Sequence, residues 1–98
     1  MAEVRLRAAA AADLTDILHY SIRSFGAEVA EDYVRSFERA FRLLREHPEA
    51  GAFRIGIAPP IRCLSHRRHR IYYDIEEGTV WVVRILHHAV DERSWLPG

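Results

Sequence analysis

Residues 69–87 read HRIYYDIEEGTVWVVRILH, two runs rich in Ile, Val, Tyr and Trp parted by Glu77-Gly78. β-Branched and aromatic side chains suit the pleated, half-buried surface of a strand, and so short a glycine-containing connection signals an antiparallel hairpin. The spacing predicts strands over His69–Glu76 and Thr79–His87. In the first, alternation puts Ile71, Tyr73 and Ile75 on a core face and Arg70, Tyr72 and Asp74 on the other. In the second, Trp81, Val83 and Ile85 share a face, leaving Val80, Val82, Arg84 and Leu86 opposite. An arginine among three aliphatics needs a partner: either Asp74 or Glu76 across the sheet, or an external phosphate or carboxylate.

Upstream, Ile61–Ser65 reads as a third strand and Phe53–Pro60 (FRIGIAPP), with two prolines and a glycine, as a loop or irregular edge. From Ala27 to His47 the pattern is helical. Ala30, Tyr33, Val34, Phe37, Ala40, Phe41 and Leu44 trace one face while Glu and Arg fill the others, and Pro48 and Gly51 end the run. Leu14, Ile17, Leu18, Ile22 and Phe25 trace a preceding helix that Gly26 stops, so one residue joins an antiparallel helical hairpin. Val4–Arg7 alternate as a short strand. The order expected is β-α-α-β-β-β in one domain, residues 1–98: an α+β fold with the N-terminal strand and helical hairpin on one face of an antiparallel sheet. The last ten residues, AVDERSWLPG, carry Trp95 and Leu96 and must dock on the body or wait for a partner.

Composition narrows the function. The 98 residues are 49% hydrophobic and 29% charged, with fourteen basic and fourteen acidic side chains, so no global basic field exists to hold DNA and no stable direct DNA binding is expected. Every cation is Arg, which removes lysine chemistry. One cysteine, Cys63, excludes an internal disulfide. The first residues lack the basic-then-apolar order of a signal peptide, and no apolar run approaches the ~18 residues of a membrane span. A cytoplasmic protein with no membrane role is expected.

Arg62, Arg67, Arg68, Arg70 and Arg84 fall on or beside three adjacent strands, so a local basic surface for phosphate or acidic protein is plausible. Cys63, His66 and His69, with His87 and His88 available, raise a metal site. The spacing fits no zinc-finger pattern, strand residues three apart face opposite ways, and the arginines repel a dication, so no metal and no cofactor are expected. His87 could move protons near neutral pH. No serine or cysteine nucleophile pattern accompanies it.

Arg62, His69-Arg70-Ile71-Tyr72-Tyr73, Val83-Arg84-Ile85-Leu86-His87 and Asp91 together resemble the ParE branch of the RelE/ParE toxin superfamily. In the helical half, Ala12-Asp13-Leu14, Ile17, Tyr20, Gly26, Ala30, Tyr33, Phe41, Leu44, Pro48 and Gly51 resemble the same family's order of positions, so almost the whole chain is covered. The resemblance implies the toxin of a bacterial type II toxin-antitoxin pair that poisons DNA gyrase and is silenced by a ParD-like antitoxin. RelE-like members instead cleave mRNA on the ribosome with basic residues, commonly including lysine, and often a C-terminal tyrosine or histidine. This chain has no lysine and no tyrosine after Tyr73, which favours the ParE reading. Arg62, Arg70 and His87 would form the metal-free nuclease site of the alternative, and an inactive antitoxin-binding relative is a third reading. Candidate target contacts are Arg62, Arg67, Arg68, Arg70, Tyr72, Arg84 and His87. Candidate antitoxin contacts are Val80, Val82, Arg84, Leu86, Trp95 and Leu96, because so small a domain carries more apolar positions than one core covers. The resemblance implies that an antitoxin's C-terminal segment lies, as helix and extended strand, in a groove beside the helical hairpin and sheet edge.

Overall fold

The computed structural model describes residues 1–96; of the C-terminal segment, Pro97 and Gly98 lie outside the described residues. Strand β1 (Glu3–Leu6) leads into helices α1 (Ala8–Phe25) and α2 (Ala27–Glu46), followed by β2 (Ala52–Phe53), β3 (Arg62–His66), β4 (His69–Glu76), β5 (Thr79–His87) and a 3-10 turn, Glu92–Ser94. The helices join at Gly26, whose φ of 89° ends α1. Its amide donates to the Ile22 carbonyl and its carbonyl accepts from Ala30, the first full turn of α2. At the end of α2, Tyr73 holds the next connection: its hydroxyl donates to the Pro48 carbonyl at 2.6 Å and accepts from the Gly51 amide at 2.8 Å.

The sheet order is β1-β5-β4-β3-β2. β3 to β5 are antiparallel, as expected, and the two-residue β2, not expected as a strand, adds an antiparallel edge beside β3, but β1 runs parallel to β5, Glu3 opposite Thr79 and Leu6 opposite Val82. The sheet is therefore mixed. Direction here is set by the helical hairpin, which returns the chain to the end where β1 began. The Glu77-Gly78 turn has both φ values positive, 50° and 79°, the backbone of a type I′ hairpin. Both helices pack on one face over Ile71, Tyr73, Val80, Val82 and Ile85, with Phe37, Phe41 and Leu44 the main helical contribution. A smaller cluster of Ile61, Tyr72 and Leu86 lies on the other face, covered by Ile57, Val90 and Leu96.

The alternation expected along β5 breaks at Val83. Tyr72 pairs with Arg84 but Tyr73 pairs with Val82, a β-bulge that leaves Val83 unpaired and reverses the phase. Val80 and Val82 consequently face the helices at 0% exposure, together with Ile85 rather than opposite it. With no side-chain surface, neither can contact an antitoxin, and both leave the candidate set. Ile75, expected in the core, is instead exposed near the hairpin end.

Candidate functional site: an apolar groove beside a free strand edge

β1 is only four residues long, so it covers β5 only from Thr79 to Val82. The Arg7 amide makes the last contact, to the Val82 carbonyl, and the chain turns into α1. Beyond Val82 the outer edge of β5 has no strand neighbour among the described residues. Asp13, from the second turn of α1, takes part of its place: Oδ2 accepts from the Ile85 amide at 2.9 Å and from Arg84 Nε at 2.8 Å, while Oδ1 accepts from Arg84 Nη2 at 2.8 Å. Arg84 thus pairs with a helix residue 71 positions away, correcting the expected cross-sheet partners Asp74 and Glu76. In an antiparallel ladder successive amides alternate in direction, so the His87 amide faces the same open edge as that of Ile85.

Between this edge and the helical hairpin lies a groove of about 820 Å³. Its helical wall carries Ile17, Tyr20, Phe25 and Val29, and its sheet wall Ile85, Leu86 and Trp95. Tyr20, Phe25, Val29 and Trp95 are each more than half exposed. Contiguous apolar surface of this kind on a small domain marks an interaction site. Arg67, Arg68, His69 and His87 close one end, and Asp13, Asp16 and Arg84 border the wall nearer α1. Sequence reading missed Tyr20, Phe25 and Val29 as surface residues, although their helical stripe runs past the point where the sheet can cover it.

His66 and His69 flank the Arg67-Arg68 turn and are cross-strand partners, as are His69 and His87, so the three histidines form a row on the helix-facing side. The expectation that His66 and His69 face opposite ways fails because a turn, not a strand, separates them. Tyr33 hydroxyl and His69 Nδ1 are hydrogen-bonded at 2.6 Å. Ser36 donates its one proton to the Tyr33 carbonyl, so it accepts from His66 Nε2, at 2.7 Å. Burial, reinforced by the neighbouring imidazoles of His87, His66 and His88, lowers His69 to about 4, and burial followed by the Arg67 and Arg39 charges lowers His66. Both are neutral at pH 7 and hold α2 to the sheet end. Cys63 lies on the opposite face, in the smaller cluster. Among the described residues no group of three or more His, Cys, Asp or Glu could hold a metal ion.

The remaining candidates disperse. Arg62 stands on the helix-facing side, bonded to the Gly51 carbonyl at 2.8 Å and lying over the Phe53 ring. Arg70 and Tyr72 stand on the outer face, where both meet Glu92. Arg67 and Arg68 form the turn and make no ion pair among the described residues. Exposed His87 ends β5, its Nδ1 accepting from the Ala89 amide. Arg62, Arg70 and His87 therefore do not converge, since Arg70 is on the opposite face from the other two. The C-terminal segment docks: Leu96 packs on the outer cluster and the Trp95 ring lies over Arg84.

The family described as "ParE toxin of type II toxin-antitoxin system, parDE" matches residues 4–92. The chain belongs to the ParE toxin family. It is 31% identical over 96 residues to Toxin ParE1 of Caulobacter vibrioides, covering 98% of this chain and 99% of that one. To Toxin ParE1 of Mycobacterium tuberculosis it is 34% identical over 87 residues, 88% and 89% of the two chains. A solved structure titled "Chromosomal ParDE TA system from P. aeruginosa" matches with a TM-score of 0.78 at 22% identity, over 89% of this chain and 96% of that one. At that identity the match speaks to the ParE fold: two helices on a five-stranded mixed sheet. No helix among the described residues is long and apolar enough to cross a membrane.

Proposed function

We propose that this ParE-family chain acts in the cytoplasm as a growth inhibitor that poisons DNA gyrase, and that a ParD-like antitoxin neutralises it from the groove. The observation that carries the choice of a binding inhibitor over an mRNA nuclease is the placement of Arg62 and His87 on one sheet face and Arg70 on the other. A nuclease of this kind needs its proton-transfer group and its cations around one phosphate. Arg84, a further cation, is held by Asp13. The groove supports the antitoxin half of the reading. Its apolar walls fit the apolar face of an amphipathic helix, and the edge of β5 at His87, beyond the Ile85 amide that Asp13 occupies, can pair with an extended segment. Arg67 and Arg68, at its mouth and without an ion pair among the described residues, favour an acidic stretch on that partner.

The test is expression of the chain in bacteria with and without its cognate antitoxin. Growth arrest with chromosome breaks, reversed by full-length antitoxin but not by one lacking its C-terminal segment, is the expected result. Arrest with intact chromosomes and cut transcripts would overturn the gyrase reading. Absence of arrest would make the chain an antitoxin-binding relative only.

A further inference from the structure

On the face away from the helices, Glu92 sits in a cradle that the groove does not use. Arg54 donates to its carboxylate three times, Nη2 to Oε1 at 2.9 Å and Nε to both oxygens at 3.1 Å. The Tyr72 hydroxyl donates to Oε2, and Arg70 Nη1 lies 3.9 Å from the same oxygen. The Glu92 side chain is 14% exposed. Burial alone would raise its carboxyl pKa, but the hydrogen bonds from Arg54 and Tyr72 and the charges of Arg54 and Arg70 outweigh that and lower it.

The cradle and its occupant are held by different parts of the chain. Arg70 and Tyr72 belong to β4, which is paired on both sides, and the Arg54 amide donates to the Ile61 carbonyl at 2.9 Å. None of these anchors involves the C-terminal segment. Glu92, in contrast, rides on a single 3-10 turn with no strand pairing among the described residues, reached through the Val90 to His87 backbone bond and held by the packing of Val90 and Leu96 and by Arg84 against Trp95. Two guanidinium charges face one carboxylate, so the seat keeps an excess positive charge, which a dianion would balance. A cleft of about 290 Å³ bordered by Ile55, Ile57, Arg70, Asp91, Glu92 and Arg93 lies beside it.

We propose that Glu92 is an internal ligand of an oxyanion site formed by Arg54, Arg70 and Tyr72, and that this site takes a phosphate dianion when the C-terminal segment lifts. Planar guanidinium forks with a phenol donor match the tetrahedral oxygens of phosphate as well as they match a carboxylate. The segment that carries Glu92 continues into Trp95, which lines the groove on the opposite side of β5, so a groove-bound partner meets the far end of the strap. That link rests on the groove being a partner site; the phosphate site itself does not.

The experiment titrates inorganic phosphate, at constant ionic strength, into the full chain and its Glu92→Ala, Glu92→Ser and Arg54→Met/Glu92→Ala variants. The readouts are the thermal midpoint and the NMR resonance of the Arg54 Nε–H. In Glu92→Ala, the midpoint should rise by roughly 5 °C at ~50 mM phosphate, while the Arg54 resonance shifts along a saturating curve. The parent should show only the small rise that phosphate gives any folded protein, with no saturating shift, and the double variant only that small rise. Should Glu92→Ala not fold, Glu92→Ser, which also empties the seat and keeps a polar side chain in the turn, carries the same expectation. Dimethyl phosphate, with one charge, should bind several-fold more weakly. A response of both Glu92 variants no greater than the parent's would overturn the proposal, and equal binding of the diester would overturn its charge matching.

Discussion

Replacing Asp13 by alanine should remove about 3 kcal/mol of stability, because one carboxylate ends the free edge of β5 and neutralises Arg84 at once. The two side chains are 12% and 19% exposed, so the guanidinium left behind has little water to turn to. Breaking such a pair from one side costs roughly 3–5 kcal/mol when it is fully buried; residual exposure takes the value to the lower end. The unpaired Ile85 amide adds about 1 kcal/mol and local rearrangement returns a similar amount. For a domain of this size that corresponds to a midpoint lowered by roughly 15 °C. The assay is urea and thermal unfolding of the parent, Asp13→Ala, Asp13→Leu, Arg84→Met and Asp13→Leu/Arg84→Met. The double variant removes both charges and should recover to within about 1 kcal/mol of the parent, less than either single loss and far below their sum. A loss below about 1 kcal/mol in Asp13→Ala, or single losses that simply add, would refute the reasoning that this pair locks α1 to the sheet edge.

Lowering the pH should destabilise the chain through the histidine row. The folded pKa of His69 lies near 4 and its unfolded value near 6.5, so the unfolded state binds the proton first; the stability is complete above about pH 6.5 and, solvent screening included, falls by roughly 1–2 kcal/mol as pH drops toward 4. Unfolding measured across that range should be flatter in His69→Gln than in the parent, and identical slopes would remove His69 as the cause. Gly51→Ala should cost more than about 2 kcal/mol in denaturant melts, since an added Cβ would lie 2.7 Å from Tyr73 Cε1 and 2.8 Å from the Cys63 carbonyl. Phe25→Asp should abolish co-purification with the antitoxin while changing stability by no more than about 0.5 kcal/mol, whereas Val82→Ala should cost about 1–3 kcal/mol and leave co-purification intact. The opposite pattern would move the interface from the groove to the core strand.

Local signals carried much of the fold. The helical stripes, Gly26 and the Glu77-Gly78 turn each report on a few neighbouring residues, and each sits where periodicity and turn chemistry put it. Pairings between distant segments did not show. Glu3 and Thr79 meet across 76 positions, and nothing in the Val4–Arg7 alternation states whether its neighbour is parallel or antiparallel. The Val83 bulge had a visible trace, the unbroken apolar run Val80-Trp81-Val82-Val83, which strict alternation cannot accommodate on a sheet with one polar face. That single residue exchanged the faces of Val80 and Val82 and removed them from the candidate site. Arg84 announced its need for a partner, but Asp13 looked like any polar residue on an exposed helix turn. Glu92 carried no signal, because its role depends on where a short tail docks across the finished sheet.

The most direct measurement brings the purified chain to DNA gyrase with supercoiled plasmid, and in parallel to a reconstituted translation reaction. The account predicts gyrase-linked DNA breaks with intact mRNA. Cut mRNA beside unaffected gyrase would contradict it.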